Sequence, residues 1–377
     1  MRRAFFFGAA IVLLCIAALY VSLGLNPLQH SPYDSYSLQA QAWLDGKMTI
    51  DGDYPYLELA MYNGKQYLSF PPFPSVVMLP FVLIMGQSAP GGLIAIFLML
   101  LSYCGAFSLA RRMGHKAFFC AAFSVFAVLG CNYAEYGLYG GVWNLAQSLA
   151  FCLTMWAFAL AQSDRKRDMG LSLLLIAFAV GCRPFQAVYA LFLALLCFKK
   201  VKRDIWKLLI APLFVAFCYG AYNAARFGNP LQFGHDYLPE FVEQSAYGQF
   251  SVHYIGKNLK NILRMPFFSG GLLLFPAAYG FAFWLTNPIY VLALPRKRMG
   301  AQEMLLYALC AVHFALLLCH KSFGGMQWGT RYLCDLVPAL SFLFLKGKSS
   351  KWVYPAFAFG IALNLYGAVV FHTVLCP

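Results

Sequence analysis

The chain has 377 residues, of which 61% are hydrophobic and only 11% are charged, whereas an ordinary soluble domain carries about 25% charged residues. This composition excludes an ordinary soluble protein, and repeated apolar runs of membrane-spanning length predict a polytopic membrane protein. The net charge of +14 does not indicate a nucleic-acid partner, because the Lys and Arg residues form short clusters between apolar runs and no basic domain.

The first apolar run follows Arg2 and Arg3 and predicts an uncleaved span over residues 4–25, with the N-terminus in the cytoplasm. Residues 1–377 are therefore expected to form a single transmembrane domain of about eleven helices. The further helical spans are predicted at 91–110, 117–133, 142–162, 169–182, 184–198, 205–225, 271–294, 303–320, 333–345 and 352–373.

The proline-rich run "SFPPFPSVVMLPFVLIMG" (69–86) is apolar, but we do not expect it to cross the membrane. Its prolines leave no Pro-free stretch long enough for a full span. If it only half-inserts, two long loops lie outside, 26–90 and 222–270, and the basic loops all lie in the cytoplasm, where Lys and Arg are enriched. Those basic loops are 111–116, 164–168, 199–204, 295–300 and 346–351.

The first external loop begins with a carboxylate, Asp34, at the head of a short amphipathic helix over residues 35–45. Either Asp34 or Ser35 is expected to cap this helix, which would lie along the membrane surface. The pair Asn63-Gly64 between two apolar runs predicts a short β-hairpin. The half-inserted proline-rich segment then closes the loop.

The second external loop contains many turn residues and predicts another amphipathic surface helix, over residues 251–265. A glycine-rich external turn is expected at 320–332. The predicted span centres contain no Asp, Glu, Lys or Arg, and His313 is the one ionisable residue well within a span. Ion-coupled transporters usually keep charged groups near the midplane, so this pattern favours a site at the outer membrane face.

This organisation resembles the GT-C superfamily of membrane glycosyltransferases over the whole chain. The resemblance is carried by the first span with an acid just after it and by "YNGKQYLSFPPFPS" (62–75), "NAARFGNPLQFG" (223–234) and "GGMQWGTRYLCDLVP" (324–338). It implies an all-α GT-C-like bundle in a bacterial inner membrane. It also implies transfer of a sugar from a polyprenyl-phosphate donor to a lipid, glycan or protein acceptor on the extracytoplasmic side.

The resemblance places the catalytic acid of such enzymes at Asp34, which would deprotonate the acceptor hydroxyl. Protein O-mannosyltransferases and lipid A aminoarabinose transferases have an Asp-Glu pair there, whereas this chain has Asp34-Ser35 and departs from the two-carboxylate pattern. The alternative is that Asp34 only caps the surface helix. Glu58, in a predicted hairpin strand, and Glu135, near a short turn, are weaker candidates on this side.

Displacing a lipid phosphate also needs cations on the leaving group. Arginines at the outer ends of spans could hold that phosphate or only extend to the interface: Arg183, Arg226 and Arg331. Aromatic residues could stack on a sugar or only anchor at the interface: Tyr62, Tyr67 and Trp328. The neighbours His235 and Asp236 could form a base and its orienting group, or belong to the loop surface.

No cofactor motif occurs, and we predict no cofactor. A divalent metal remains open, because Asp51 and Asp53 could hold one or could simply form a turn. Two other functions also remain open. The protein could move polyprenyl-linked sugars across the membrane without chemistry, or it could be a non-catalytic subunit of a membrane assembly.

Overall fold

Long apolar helices make up most of the chain in the computed structural model, which describes residues 1–293, 299–347 and 351–376. The longer helices are α1 (Arg2–Ser22), α3 (Phe73–Met85), α4 (Gly91–Arg112), α5 (Ala117–Leu129), α7 (Val142–Ala161), α8 (Lys166–Val180), α9 (Ala187–Val201), α10 (Ile205–Phe227), α14 (Ala301–Leu318) and α16 (Val353–Val370). The shorter ones are α2 (Ser35–Leu44), α6 (Tyr133–Tyr136), α11 (Pro239–Val242), α12 (Ile255–Ile262), α13 (Phe283–Thr286) and α15 (Val337–Lys346).

Six helical segments of the described ranges are long and apolar enough to cross a membrane, and the protein is a membrane protein. One of them, Pro184–Phe227, contains α9 and α10 and breaks at Lys202, whose φ is +51°. The predicted count of about eleven spanning helices is therefore not confirmed. The six segments are Arg2–Ser22, Gly91–Arg112, Val142–Ala161, Pro184–Phe227, Ala301–Leu318 and Val353–Leu375.

The helical span predicted at 271–294 is wrong. Strands β3 (Phe267–Ser269) and β4 (Leu272–Leu274) form a hairpin there, followed by the single turn of α13 and a 3₁₀ segment, Pro288–Ala293. Gly270 and Gly271 make the turn with φ of +58° and +76°, and Gly280 has φ of +79°. Hydropathy is high across this run, but its glycines adopt left-handed backbone conformations that a helix cannot contain.

The centre of the bundle is built on α4 and α7, which pack against each other and against α5 and α8. Gly105 of α4 permits this close approach, because a Cβ there would lie 3.1 Å from the Trp156 ring of α7. By contrast α1 is mostly exposed, which suits a helix that faces lipid.

The two ends of the bundle differ in chemistry. At one end, called here the basic end, ion pairs join the loops between helices: Arg112–Asp168 at 3.2 Å, Lys200–Asp164 at 3.1 Å and Lys166–Asp204. The basic loops at 295–300 and 346–351 lie partly outside the described residues. The opposite end, called here the loop end, is where the segments 26–72, 228–252 and 319–332 meet.

At the loop end, β1 (Leu59–Tyr62) and β2 (Lys65–Leu68) pair antiparallel across Asn63 and Gly64, whose φ values of +51° and +70° suit a type I′ turn. Arg226 donates from Nη1 to the Leu68 carbonyl over 2.8 Å, and His235 donates from Nδ1 to the Ser69 carbonyl over 2.8 Å. The two long loops are therefore joined along the edge of this hairpin.

The proline-rich helix α3 starts directly after the hairpin and is 13 residues long, which corresponds to about 20 Å. This is shorter than the hydrocarbon core of about 30 Å. The N–H of Phe73, its first residue, donates to the Gly181 carbonyl over 2.9 Å. Helix α3 thereby fixes the turn between α8 and α9, which carries Arg183.

Candidate active site

A cavity of about 980 Å³ lies at the loop end of the bundle. Its walls come from the first loop, the start of α7, the α8–α9 turn, the second loop and the 320–332 turn. Most of the wall is apolar or aromatic, as in small-molecule binding sites. The charged residues on it are Glu58, Glu135, Arg183, Asp236, Glu240, Lys257, Lys321, Arg331 and Asp335.

Two of the arginines predicted to hold phosphate meet at this cavity. The guanidinium carbon of Arg183 lies 4.7 Å from the ring centre of Tyr332, and that of Arg331 lies 5.3 Å from the same ring. Arg183 is about one-fifth exposed and Arg331 is buried. The fold thus brings the two cations, far apart in sequence, to one aromatic ring.

A buried polar network holds both arginines in place. Arg183 donates from Nε to Oδ2 of Asp335 over 2.9 Å. Gln147 of α7 donates from Nε2 to Oδ1 of Asp335 and accepts from Nη1 of Arg331, each over 2.9 Å. Burial alone would lower the pKa of Arg183, but Asp335 and Tyr332 together more than offset this and raise the pKa, so Arg183 stays charged.

Neutral histidines line the wall beside this network. His320 is buried, and burial together with the charges of His235 and Arg183 holds its pKa well below the ordinary value. His235 also has a lowered pKa, mainly because of burial. The side chains of His235 and Asp236 have separate partners, since Asp236 accepts from Gln232 and His235 donates to the Ser69 carbonyl, and their role as base and orienting group stays a prediction.

Two further carboxylates, Glu58 and Glu135, line the same cavity. Glu58 accepts from the indole N–H of Trp143 over 3.1 Å, and burial raises its pKa, partly offset by Trp143 and by the charge of Arg331. Glu135 is buried and lies 2.8 Å from Nε2 of His372. The sequence made both acids only weak candidates, because Glu58 falls in a predicted hairpin strand and Glu135 lies near a short turn.

Asp34 is placed differently from the sequence-based prediction of a catalytic base. Its carboxylate caps α2, accepting from the Ser37 N–H over 3.0 Å and from the Ser37 hydroxyl over 2.5 Å. The residue is only 2% exposed and does not line the cavity, although Ser31 and Tyr33 do. Burial raises its pKa more than these hydrogen bonds lower it. A base role for Asp34 therefore stays a prediction.

Several other predicted site residues lie outside the cavity wall. Arg226 is buried and bonds Leu68 and Asn223. Tyr62 and Tyr67 pack on Phe227, at ring distances of 5.6 and 5.3 Å.

Trp328 is fully buried, lies off the cavity wall and donates from its indole N–H to Asn364 over 2.8 Å. Asp51 forms an exposed ion pair with Lys47 at 2.6 Å, and Asp53 lies on a second, smaller cavity.

The member of the arginine network that sequence reasoning missed is Asp335. It lies in a 3₁₀ segment, Arg331–Leu336, directly before α15. An acid four residues after Arg331 and before Pro338 looks like an ordinary helix start. The sequence did contain one indication of its importance: Asp335 lies at the end of a predicted span, and the centres of the predicted spans lack acids.

Comparison with solved structures finds a similar fold in ArnT from Cupriavidus metallidurans. The structure bound to undecaprenyl phosphate matches with a TM-score of 0.53 and 16% identity, over 90% of this chain and 59% of that chain. The apo structure matches with a TM-score of 0.53 and 15% identity, over 97% of this chain and 74% of that chain.

The archaeal oligosaccharyltransferase AglB from Archaeoglobus fulgidus matches more weakly, with a TM-score of 0.47 and 14% identity. The match covers 99% of this chain and 56% of that chain. No family model and no curated protein matches the sequence. This chain spans 59% to 74% of the two ArnT chains. The structural likeness shows that this chain shares the fold of ArnT.

Proposed function

We propose that the protein is a glycosyltransferase of GT-C type, which moves a sugar from a polyprenyl-phosphate donor to a lipid, glycan or protein acceptor. The observation that carries this proposal is the pairing of Arg183 and Arg331 on one wall of a large cavity, in a fold shared with an ArnT structure bound to undecaprenyl phosphate.

The arginine pair is suited to a leaving phosphate. Asp335 uses only the Nε donor of Arg183, and Gln147 uses only Nη1 of Arg331. A guanidinium has five N–H donors, so both side chains keep donors for phosphate oxygens. Because the network holds them before substrate arrives, they stabilise charge that develops on the phosphate without reorganising.

The proposed reaction is a direct displacement with inversion at the anomeric carbon. A carboxylate takes the proton of the acceptor hydroxyl, and the oxygen attacks C1 of the sugar. The bond from C1 to the phosphate oxygen breaks, and its electron pair leaves with the polyprenyl phosphate.

The loop end is proposed to face the extracytoplasmic side of a bacterial inner membrane. The clustering of Arg112, Lys166 and Lys200 with their acids at the basic end supports this orientation, because cytoplasmic loops are enriched in Lys and Arg. The donor's lipid tail would then remain in the outer leaflet while its sugar enters the cavity.

The test uses purified protein in detergent, where no membrane separates two compartments. Membranes from cells that lack the protein, dissolved in the same detergent, supply donor and acceptor, and mass spectrometry follows the lipids. We expect loss of one lipid-linked sugar and an equal gain of polyprenyl phosphate. A flippase or a non-catalytic subunit would leave both pools unchanged, and that result would contradict the proposal.

A further inference from the structure

Two cavities meet at the first hairpin. The second has a volume of about 270 Å³ and lies against β1 and the start of the second loop. Several of its lining residues are exposed: Asp53, Pro55, Met61 and Pro239. This cavity therefore opens to the surface of the protein beside polar loops, away from the apolar helix faces.

Glu58 and Glu240 line both cavities. The two acids differ in their surroundings. Glu240 is more than one-third exposed and lies 3.8 Å from Nζ of Lys321. Glu58 has no ion-pair partner within the part of the chain that the structure describes, and only its Oε2 accepts a hydrogen bond there. Glu58 thus presents an available carboxylate oxygen at the junction.

We propose that Glu58 is the proton acceptor of the transfer reaction, and that the acceptor hydroxyl reaches it through the second cavity while the donor sugar occupies the first. This inference rests on the proposed function and adds the base and the route of the acceptor. A base must touch the incoming hydroxyl next to the sugar's C1. Glu58 lies where an acceptor in the second cavity meets a donor in the first, whereas the capped Asp34 lines neither cavity.

The surroundings of Glu58 hold it in position. Trp143 donates its indole N–H to Oε2, and the Ser69 hydroxyl donates to the Glu58 carbonyl over 2.8 Å. The Trp143 ring packs 5.6 Å from Tyr33. With Oε2 oriented in this way, Oε1 is left to accept a proton. The raised pKa of Glu58 also increases its basicity, which favours proton transfer from a hydroxyl.

The step balances with the residues named. The acceptor O–H bond breaks, its proton passes to Oε1 of Glu58, and the oxygen forms a bond to C1. The electron pair of the C1–O bond goes to the phosphate, which Arg183 and Arg331 hold. Glu58 then releases its proton to water through the second cavity, and the carboxylate is restored.

The experiment compares wild type, Glu58→Ala and Glu58→Gln as full chains in nanodiscs, with Glu243→Gln as the matched control. Glu243 is an exposed glutamate of the second loop, outside both cavities. Undecaprenyl phosphate alone is the binding probe, and lipid extract with envelope fraction from cells lacking the protein supplies the reaction. Azide is then added, because it is an anionic nucleophile that needs no base.

We expect both Glu58 variants to bind undecaprenyl phosphate within twofold of wild type and to lose transfer by about 100-fold or more. Azide should restore release of polyprenyl phosphate by Glu58→Ala and form a glycosyl azide of inverted configuration, while Glu243→Gln stays at the wild-type rate. A structural role for Glu58 would not respond to azide.

If the wild type transfers sugar and Glu58→Gln does so at the wild-type rate, the inference is overturned and the proposed function stays intact. A loss of transfer in Glu58→Ala that azide does not restore would have the same consequence. If the wild type consumes no lipid-linked sugar and does not bind undecaprenyl phosphate, the proposed function fails and the inference fails with it.

Discussion

Arg183 and Asp335 are 152 residues apart in the chain, yet Nε of the arginine lies 2.9 Å from Oδ2 of the carboxylate. The arginine comes from the turn between α8 and α9, and the acid comes from the 3₁₀ segment that precedes α15. Gln147 of α7 connects the same acid to Arg331. The cationic wall of the cavity is therefore assembled from three separate parts of the chain.

Substitution Asp335→Ala should lower the free energy of unfolding by about 3 kcal/mol, because it leaves a largely buried guanidinium without its partner. Arg183→Gln alone should also be destabilising. The double variant Arg183→Gln/Asp335→Ala should lose less stability than the sum of the two single variants. Thermal unfolding in detergent measures all three, and strictly additive losses would show that the pair is not coupled.

Arg331→Gln should weaken binding of undecaprenyl phosphate by about 10- to 100-fold, the equivalent of one charge-assisted hydrogen bond. Arg331→Lys should lose part of the affinity for undecaprenyl phosphate, since an ammonium group lacks the planar, two-pronged set of N–H donors of a guanidinium. The matched control is Lys166→Gln at the basic end, which should bind normally. Equal affinities for the Arg331 and Lys166 variants would remove the phosphate role.

The rate constant kcat/KM should fall as the pH is lowered through the pKa of Glu58, because only the carboxylate accepts a proton. Burial raises that pKa, so the acid limb should lie above the ordinary glutamate value of about 4.3. The residual activity of Glu58→Gln should lack this limb. An unchanged acid limb in that variant would assign the titration to another group.

Asp34→Asn should not lower the melting temperature at pH 7, because asparagine also caps helices and carries no buried charge. Burial makes the folded state hold the Asp34 proton more tightly than the unfolded state does. The wild type therefore loses stability as the pH rises through the folded pKa, and the variant does not. Asp34→Ala removes the cap and should cost about 1 kcal/mol.

The same Asp34→Asn variant decides between the two candidate bases. We expect it to keep most of its transfer activity, since the carboxylate is occupied by Ser37 and lies off the cavity wall. Complete loss of transfer, with a normal melting temperature and normal undecaprenyl phosphate binding, would instead support the base role that the sequence resemblance implies.

Gly367→Ala should destabilise the fold by about 1–3 kcal/mol, because a Cβ on α16 would collide with the six-membered ring of Trp328. That ring is fully buried and cannot move aside easily. Gly256→Ala on α12 is the control, since nothing lies within 4 Å of its added Cβ. The control should keep or slightly raise the melting temperature.

The sequence predicted the bounds of a helix closely where the length of an apolar run agreed with the turn residues and charged loops at its two ends. The predicted span at 142–162 corresponds to α7, Val142–Ala161, because Gly140 and Gly141 precede it and a basic loop follows. The prediction at 271–294 failed because hydropathy averaged over glycines that fold back the chain. Local composition cannot reveal such a reversal when both arms of the hairpin are apolar.

The site was only partly predictable for a related reason. Arg183 and Arg331 stood out because cations at span ends beside turns are conspicuous in so apolar a chain. Asp335, Glu58 and Gln147 did not stand out, since their importance comes from partners in distant segments. The sequence could not predict the burial of Asp34 either, because an Asp-Ser pair at the start of a helix is equally compatible with an exposed helix cap.

The hydrogen bonds from Arg226 to Leu68 and from His235 to Ser69 have a practical consequence for protein engineering. Exchanging the first loop for that of another transferase, while leaving the second loop untouched, would put at risk the Leu68 carbonyl that accepts from the buried Arg226 guanidinium, leaving Asn223 as its remaining acceptor. Chimeras meant to alter acceptor choice should therefore transplant both segments as one unit. Their junctions are best placed at the ends of α1, α3 and α10, which the exchange leaves in place.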